Sequence, residues 1–367
     1  MLWLYIFKHP EISLVVVTMF KVGSRKEFFF SSTKFKMSIA TQLRAIIDKF
    51  APRFYLQSDE KYFPSSIDWF FERSNLVHNK VVIDTNVTSQ KLYDFTQKNY
   101  PGKTGLENLY VVPKNKEVLK GQKDLKNVPI YAFVRETPEV YKIYYIVFFP
   151  FNLGKNVLFL QQAGDHDGDL EHITVEVSKK NQQLVRVHYG AHGTKDGRWV
   201  NAADVPMENN KIVGYIAYGG HGIYPAPGYA FRLAGLANDF MDKGIEWNPK
   251  VDILTLQGQP GFTAAKDGWM YFAGRLGDDG ISSISDKGWF HNGDLEPKDL
   301  KAPRLYTYKS LTWFRTSVIA FILAIMIALI GVAWWQKRMY PQNYFLVLAV
   351  VVVILAILVK RIISMVA

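Results

Sequence analysis

Residues 164 to 177 read GDHDGDLEHITVEV, and His166, Asp169 and Glu171 are the side chains in it best suited to chemistry. From Asp169 onward, Ile173, Val175 and Val177 alternate with His172, Thr174 and Glu176, the pattern of a strand. A period of two places Asp169 and Glu171 on the same face as those apolar residues. Burying an unpaired carboxylate costs on the order of several kcal/mol, so two on one inward face need a cation or a proton. Two answers stand open. A divalent cation (Mg, Ca, Mn or Zn) held by His166, Asp169 and Glu171 would balance them. So would a hydrogen-bonded network with histidine, Arg186, Arg198 or Arg275 as counter-charge. A calcium loop of the EF-hand kind is excluded. Asp165, Asp167, Asp169 and Glu176 fall at its positions 1, 3, 5 and 12, but the glycine position holds Leu170 and the following residues alternate as a strand.

Other groups widen the candidate site. Five of the eight histidines lie between residues 166 and 221. His192 in HYGAHG and His221 in YGGHG stand beside glycines that permit tight turns. With Asp165, Asp167 and Arg275 they form a candidate ligand pocket around the metal position. Ser58, Asp59, Glu60 and Asp68 are further candidates, although Ser and Asp before an apolar run are the usual signature of a helix cap.

The elements that must position these groups are mostly strands. PIYAFVRE and VYKIYYIVFFPFN read as a hairpin across Thr137 and Pro138, and Ile143 to Phe149 is apolar on both faces, as in a central strand. QLVRVHYGAHG, KIVGYIAYGGHGIYP, VDILTLQ and WMYFAGRL continue the series without intervening helix patterns. The fold class expected is mainly β: a β-sandwich with long loops and a few short helices over residues 37–300. Residues 1–36 read as a leader or upstream extension, disordered or dispensable, with Met37 as an alternative start.

The C-terminus has a different character. Ser317 to Trp335 holds no charged residue, and at about 1.5 Å per residue it approaches a hydrocarbon core of about 30 Å. Residues 344–361 form a second apolar run with Lys360 and Arg361 placed to snorkel. A transmembrane two-helix hairpin is expected, joined to the sandwich by a tether at 301–316. Basic residues flank the body and tail more than the connecting loop, which favours an integral membrane protein with body and tail on the cytoplasmic side. The net charge of +11 divides into +5 over residues 1–50, −2 over 51–300 and +8 over 301–367. The body is nearly neutral and shows no basic stripe, which argues against nucleic acid as a partner. The absence of cysteine excludes disulfides and thiolate metal sites.

FAPRFYLQSDEKYFPSSIDWFF, GDHDGDLEHITVEV, HYGAHG and GGHGIYPAPG together resemble the vacuolar protein sorting-associated protein 62 family of fungi and plants, over about residues 50–280. The central block is also similar to the histidine, aspartate and glutamate motif of necrosis-inducing plant-pathogen toxins. Those are β-sandwiches with a divalent cation at one end that engages sphingolipid headgroups. On that motif the ligands fall on His166, Asp169 and Glu171. The motif's tryptophan is Leu170 here and its second histidine is Gly168. The resemblance implies the cation site rather than toxicity.

Three functions follow as expectations. The first is a membrane-anchored binding module that engages a lipid headgroup, glycan or partner protein through the cation, with Trp199, Tyr224, Trp247 and Trp269 as stacking surfaces. The second is a structural membrane scaffold of the trafficking or viral capsid-associated kind. The third is a metal-dependent hydrolase, which the absence of G-x-S-x-G, H-E-x-x-H and a phosphate-cradling loop disfavours.

Overall fold

The computed structural model describes residues 3–9, 12–19, 41–99, 108–157, 160–191, 197–232, 238–277, 304–306, 308–339, 342 and 344–366. The chain divides into two units, Met1–Phe50 and Ala51–Ala367. In the first, β1 (Trp3–His9) and β2 (Ile12–Met19) pair as an antiparallel hairpin. Residues 41–50 are helical (α1).

The second unit is built on two sheets. The larger has six strands: β7 (Pro129–Glu136), β8 (Val140–Asn152), β11 (His166–Ser178), β12 (Leu184–Tyr189), β13 (Arg198–Asn201) and β20 (Lys250–Ile253), in the order β13-β12-β11-β8-β7-β20. The smaller contains β3 (Arg53–Leu56), β14 (Met207–Glu208), β15 (Lys211–Ile216), β16 (Ile223–Tyr224) and β19 (Ile245–Trp247). Most pairings are antiparallel, but β15 runs parallel to β3 and β20 parallel to β7. The hairpin of β7 and β8 turns at Thr137 and Pro138 as expected, with Glu136 opposite Tyr141.

The two sheets pack face to face through the odd-numbered side chains of β8 and β11. Ile173, Val175, Tyr145 and Val147 are fully buried there. The Tyr189 hydroxyl donates to the Val213 carbonyl across the interface at 3.0 Å. Gly214 lies so close to Ile173 and Phe54 that a Cβ would approach both at about 3 Å. This is a mainly β fold, a β-sandwich.

The outer face of the six-stranded sheet is also covered, which the alternating pattern of β11 did not suggest. Tyr144, Ile146 and Phe148 on that face pack with Phe70 and Phe71 of α2 (Ile67–Glu72), Leu92 of α3 (Ser89–Asn99) and Trp269. Each such side chain contributes about 1.5–3 kcal/mol of burial. His172, Thr174 and Glu176 on the same face are buried as well. The segment WMYFAGRL, which reads as a strand, is a 3-10 turn over Gly268–Tyr271. It is held against α3 by the Trp269 amide, which donates to the Ser89 hydroxyl at 3.0 Å, and tertiary packing decides the conformation of such a short apolar run.

Two small sheets complete the body: β4 (Ser74–His78), β5 (Val81–Asp84) and β6 (Leu109–Pro113), and β17 (Gly228–Phe231), β18 (Asp239–Met241) and β21 (Arg304–Tyr306). β9 (Lys155–Val157) and β10 (Leu160–Ala163) form a short ribbon. The apolar C-terminus is two helices, Tyr308–Met339 and Tyr344–Val366. By length and composition Ile319–Met339 can cross a membrane, with a mean hydropathy of 2.2, and Tyr344–Val359 is a shorter apolar helix.

A histidine and carboxylate cluster at the sandwich end

β11 begins at His166, opposite Asn152 at the end of β8, so the candidate residues lie at one end of the sandwich. Asp169 and Glu171 point inward between the sheets, as the period of two requires, and both are buried. From the opposing sheet comes His221, on the turn between β15 and β16. That turn reads YGGHG, and two of its residues have left-handed backbone, Gly219 at φ +63° and His221 at φ +52°. Left-handed φ is uncommon outside glycine, and here it aims a fully buried imidazole into the interior. The ring lies flat on Phe149, centroids 3.7 Å apart.

The two imidazoles flank one carboxylate. His166 Nε2 is 3.6 Å from Asp169 Oδ1, and His221 Nδ1 is 3.5 Å from Asp169 Oδ2. Asn152 donates to Oδ2 at 3.1 Å. The imidazole contacts are ion-pair distances, too long for good hydrogen bonds. His166 Nε2 and both ring nitrogens of His221 are buried without a hydrogen-bond partner. His166 Nδ1 is 3.1 Å from the Gly164 carbonyl, which leaves Nε2 as the nitrogen facing Asp169.

Behind His221 stands Glu60, its Oε2 3.9 Å from Nε2. Glu60 accepts the backbone amide of Gly219 at 2.8 Å and those of Lys61 and Tyr62 at 2.9 Å each. It pins the turn that carries His221.

On the other side of Glu171 is a second group. Asp239, fully buried, accepts the Tyr224 hydroxyl at 2.7 Å and pairs with Lys155 at 3.0 Å and Arg232 at 3.5 Å.

The electrostatics divide the carboxylates. Burial alone would raise the Asp169 pKa, but His166 and His221 outweigh it and hold it well below the carboxylate range. Glu60 is lowered too, burial being outweighed by His221 and backbone amides. For both histidines burial opposes the charge, yet Asp169, and for His221 also Glu60, raise the pKa. Glu171 goes the other way. Burial, then the neighbouring Asp169 and Asp239, push it far above the usual range, against a smaller opposing effect of Arg232. These shifts favour a charged Asp169 beside charged imidazoles and the neutral form of Glu171.

A divalent cation takes closely grouped nitrogen and oxygen donors. Nitrogen and oxygen donors of the right kinds are present, and the partnerless imidazole nitrogens face carboxylate oxygens. Among the described residues, however, no three His, Asp or Glu side chains are grouped closely enough to hold an ion as they stand.

The remaining sequence candidates disperse. Asp165 is exposed and Asp167 half-buried at the mouth. His192 lies outside the described residues. Arg275 is buried on the segment that crosses Gly168, and its backbone pairs with Leu109 and Val111. That segment explains Gly168: its φ is +69°, and a Cβ would overlap the Leu276 carbonyl, so no histidine fits there. Arg186 serves Glu176 instead of the end site. Ser66 caps α2, while Ser58 bonds Asp242 and Asp68 is exposed. Trp247, Trp269 and Tyr224 are buried, which leaves Trp199 half-exposed. No local pattern distinguishes Asn152, Lys155, Arg232 and Asp239 in the sequence. Glu60 stood in a block that reads as capping.

These features define a β-sandwich with an imidazole and carboxylate site at one end and an apolar helix pair at the C-terminus. Residues 27–248 match the family described as Vacuolar protein sorting-associated protein 62, and the chain belongs to that family. No curated protein matches the sequence. Among solved structures the chain is similar to Necrosis and Ethylene inducing Protein 2 from the causal agent of cocoa's Witches Broom disease (13% identity, TM-score 0.30, covering 57% of this chain and 72% of that one). It is also similar to NLPPya in complex with glucosamine (11%, 0.31, 57% and 71%) and to the non-toxic HaNLP3 protein (12%, 0.32, 62% and 78%).

Proposed function

We propose that this protein is a membrane-anchored binding module whose sandwich end takes a divalent cation and, through it, a polar ligand such as a lipid headgroup or glycan during vacuolar trafficking. The observation that carries the reading is the pair of buried, partnerless imidazole nitrogens set against the two oxygens of Asp169. Buried polar atoms are nearly always satisfied, so unsatisfied ones mark a missing partner. His166, Asp169 and Glu171 would hold the ion, with His221 beside them. The ion would supply the charge that lets Glu171 lose its proton, and an open coordination position for hydroxyl or phosphate oxygens. Anchoring is by the two C-terminal helices, with body and tail on the cytoplasmic side.

Elemental mass spectrometry of the detergent-solubilised full chain, purified without chelators, tests it. About one divalent ion per chain in the wild type, lost in Glu171→Gln, is expected. Absence of metal from a folded wild type would overturn it. A scaffold role is the second reading: burial and the neighbouring Asp169 and Asp239 favour the neutral form of Glu171, which would let the cluster balance its own charge.

A further inference from the structure

A cavity of about 420 Å³ opens on the solvent side of Glu60, bordering the buried cluster. Its walls are Tyr62 and Phe63, and Lys61, Lys120 and Lys123 line it. All three lysines are exposed. The lysines come from two segments that the backbone clasps together. The Phe63 amide donates to the Lys120 carbonyl at 2.9 Å, and the Gln122 amide to the Pro64 carbonyl at 3.2 Å. Gly121 makes the clasp possible: its φ is +68°, and a Cβ would overlap the Phe63 backbone. Tyr62 is braced by Phe151, centroids 4.8 Å apart.

The charged side chains lining this cavity are mostly basic. Glu60 lines it, but its oxygens are taken by three backbone amides and face His221. Lys120 pairs with Glu117 at 2.7 Å, an exposed contact that a stronger anion can displace. Lys61 and Lys123, joined by Lys120 when an anion displaces Glu117, beside the apolar wall of Tyr62 and Phe63 suit a compact dianion on an apolar or ring-shaped body better than a neutral sugar. The volume is that of a small-ligand site. Lysine acts toward phosphate as a mobile point charge and does not demand the bidentate geometry of arginine.

We propose that this cavity is a second binding site, for a phosphate monoester, carried by a lipid headgroup or by a soluble phosphorylated ring compound. It uses none of His166, Asp169, Glu171 or His221, and shares with the end site only Glu60, whose oxygens are held by backbone amides.

The test is calorimetric titration of the detergent-solubilised full chain, in EDTA, with inorganic phosphate, inositol monophosphate and dioctanoyl phosphatidylinositol 4-phosphate. Binding of at least one organic monoester is expected, tighter than inorganic phosphate. Lys61→Ala with Lys123→Ala should weaken it about tenfold or more, while the exposed Lys126→Ala, outside the cavity, should change it less than about twofold. Tenfold preference for the lipid over inositol monophosphate would assign a membrane source, and comparable affinities a soluble one. No binding of any probe at about 1 mM would overturn the proposal. So would equal loss in Lys126→Ala, the mark of diffuse charge, or binding only when EDTA is replaced by a divalent ion, which would return the ligand to the cation site.

Discussion

Strand β11 carries a buried carboxylate near each end, and the two are treated differently. Toward the C-terminal end, Glu176 receives the guanidinium fork of Arg186, with Nε at 2.6 Å and Nη2 at 3.1 Å, and Lys142 stands at 3.8 Å. Arg186 is itself stacked on Trp199, 3.9 Å from the ring. Toward the N-terminal end, Asp169 is buried to a similar degree, at 6% against 5% for Glu176. It receives two imidazoles at 3.5 and 3.6 Å and one amide. The first arrangement is a fixed pair, with a charged donor on each carboxylate oxygen. In the second, the ring nitrogens are left unbonded, and the adjoining Glu171 is kept neutral by burial and like charge. A carboxylate that only holds strands together is closed by arginine. One surrounded by imidazoles can be closed by a proton or an ion, which is why the N-terminal end is the place to look for a ligand.

The largest effect should come from the open end. Asp169→Asn removes the charge that two buried histidines share and should cost about 3–5 kcal/mol in chemical denaturation of the full chain. A cost under about 1 kcal/mol would mean that the imidazoles are neutral there and the contrast between the ends is lost.

Next in size is an acid effect on the outer face beside Glu176. Burial, followed by nearby His172, Arg186 and Lys142, drives the His188 pKa far down. The unfolded chain takes up a proton on this histidine below about pH 6.5, whereas the folded chain does not. Stability is therefore present above that pH and declines below it, by about 2 kcal/mol between pH 6.5 and 5 at 1.36 kcal/mol per unit. Denaturation midpoints at the two pH values should converge by that amount in His188→Leu. An unchanged difference would show that His188 titrates normally.

At the closed end, Glu176→Gln should cost about 1–2 kcal/mol. It breaks a charged hydrogen-bond pair whose guanidinium is 40% exposed, and solvent takes over part of the loss. A loss as large as that at Asp169 would erase the distinction between paired and open carboxylates.

The smallest effect sharpens it most. In metal-free protein, Glu171→Gln replaces a neutral acid with a neutral amide and should shift stability by less than about 0.5 kcal/mol. A large destabilisation would mean that Glu171 is ionised and paired even without an ion.

Much of this was legible in the residues. The alternation of Ile173, Val175 and Val177 fixes the face of Asp169 and Glu171. The run Ile143 to Phe149 marks a strand covered on both sides, and the aromatic hairpin of β7 and β8 announces itself. What was not legible depends on distant partners. Glu60 reaches Gly219 across 159 positions, and no local pattern distinguishes it from a capping residue. Asp239 meets Tyr224 only after the chain has turned through β17. His172 and Thr174 are buried on a face that alternation alone assigns to solvent, and α2, α3 and the 3-10 turn at Gly268–Tyr271 cover the β8 part of that face.

The sequence by itself determined which groups could react, on which face of β11 they stand, and that the C-terminus is apolar enough for a membrane. Those properties follow from side-chain chemistry and from backbone periods, which are local. Tertiary structure alone decided which charges meet. It set His221 against Asp169 by a left-handed turn pinned to Glu60, gave Arg186 to Glu176, and left Glu171 between two carboxylates. Charge balance in a low-dielectric interior depends on distances of a few ångströms between residues far apart in the chain, and only the packed sheets set those distances.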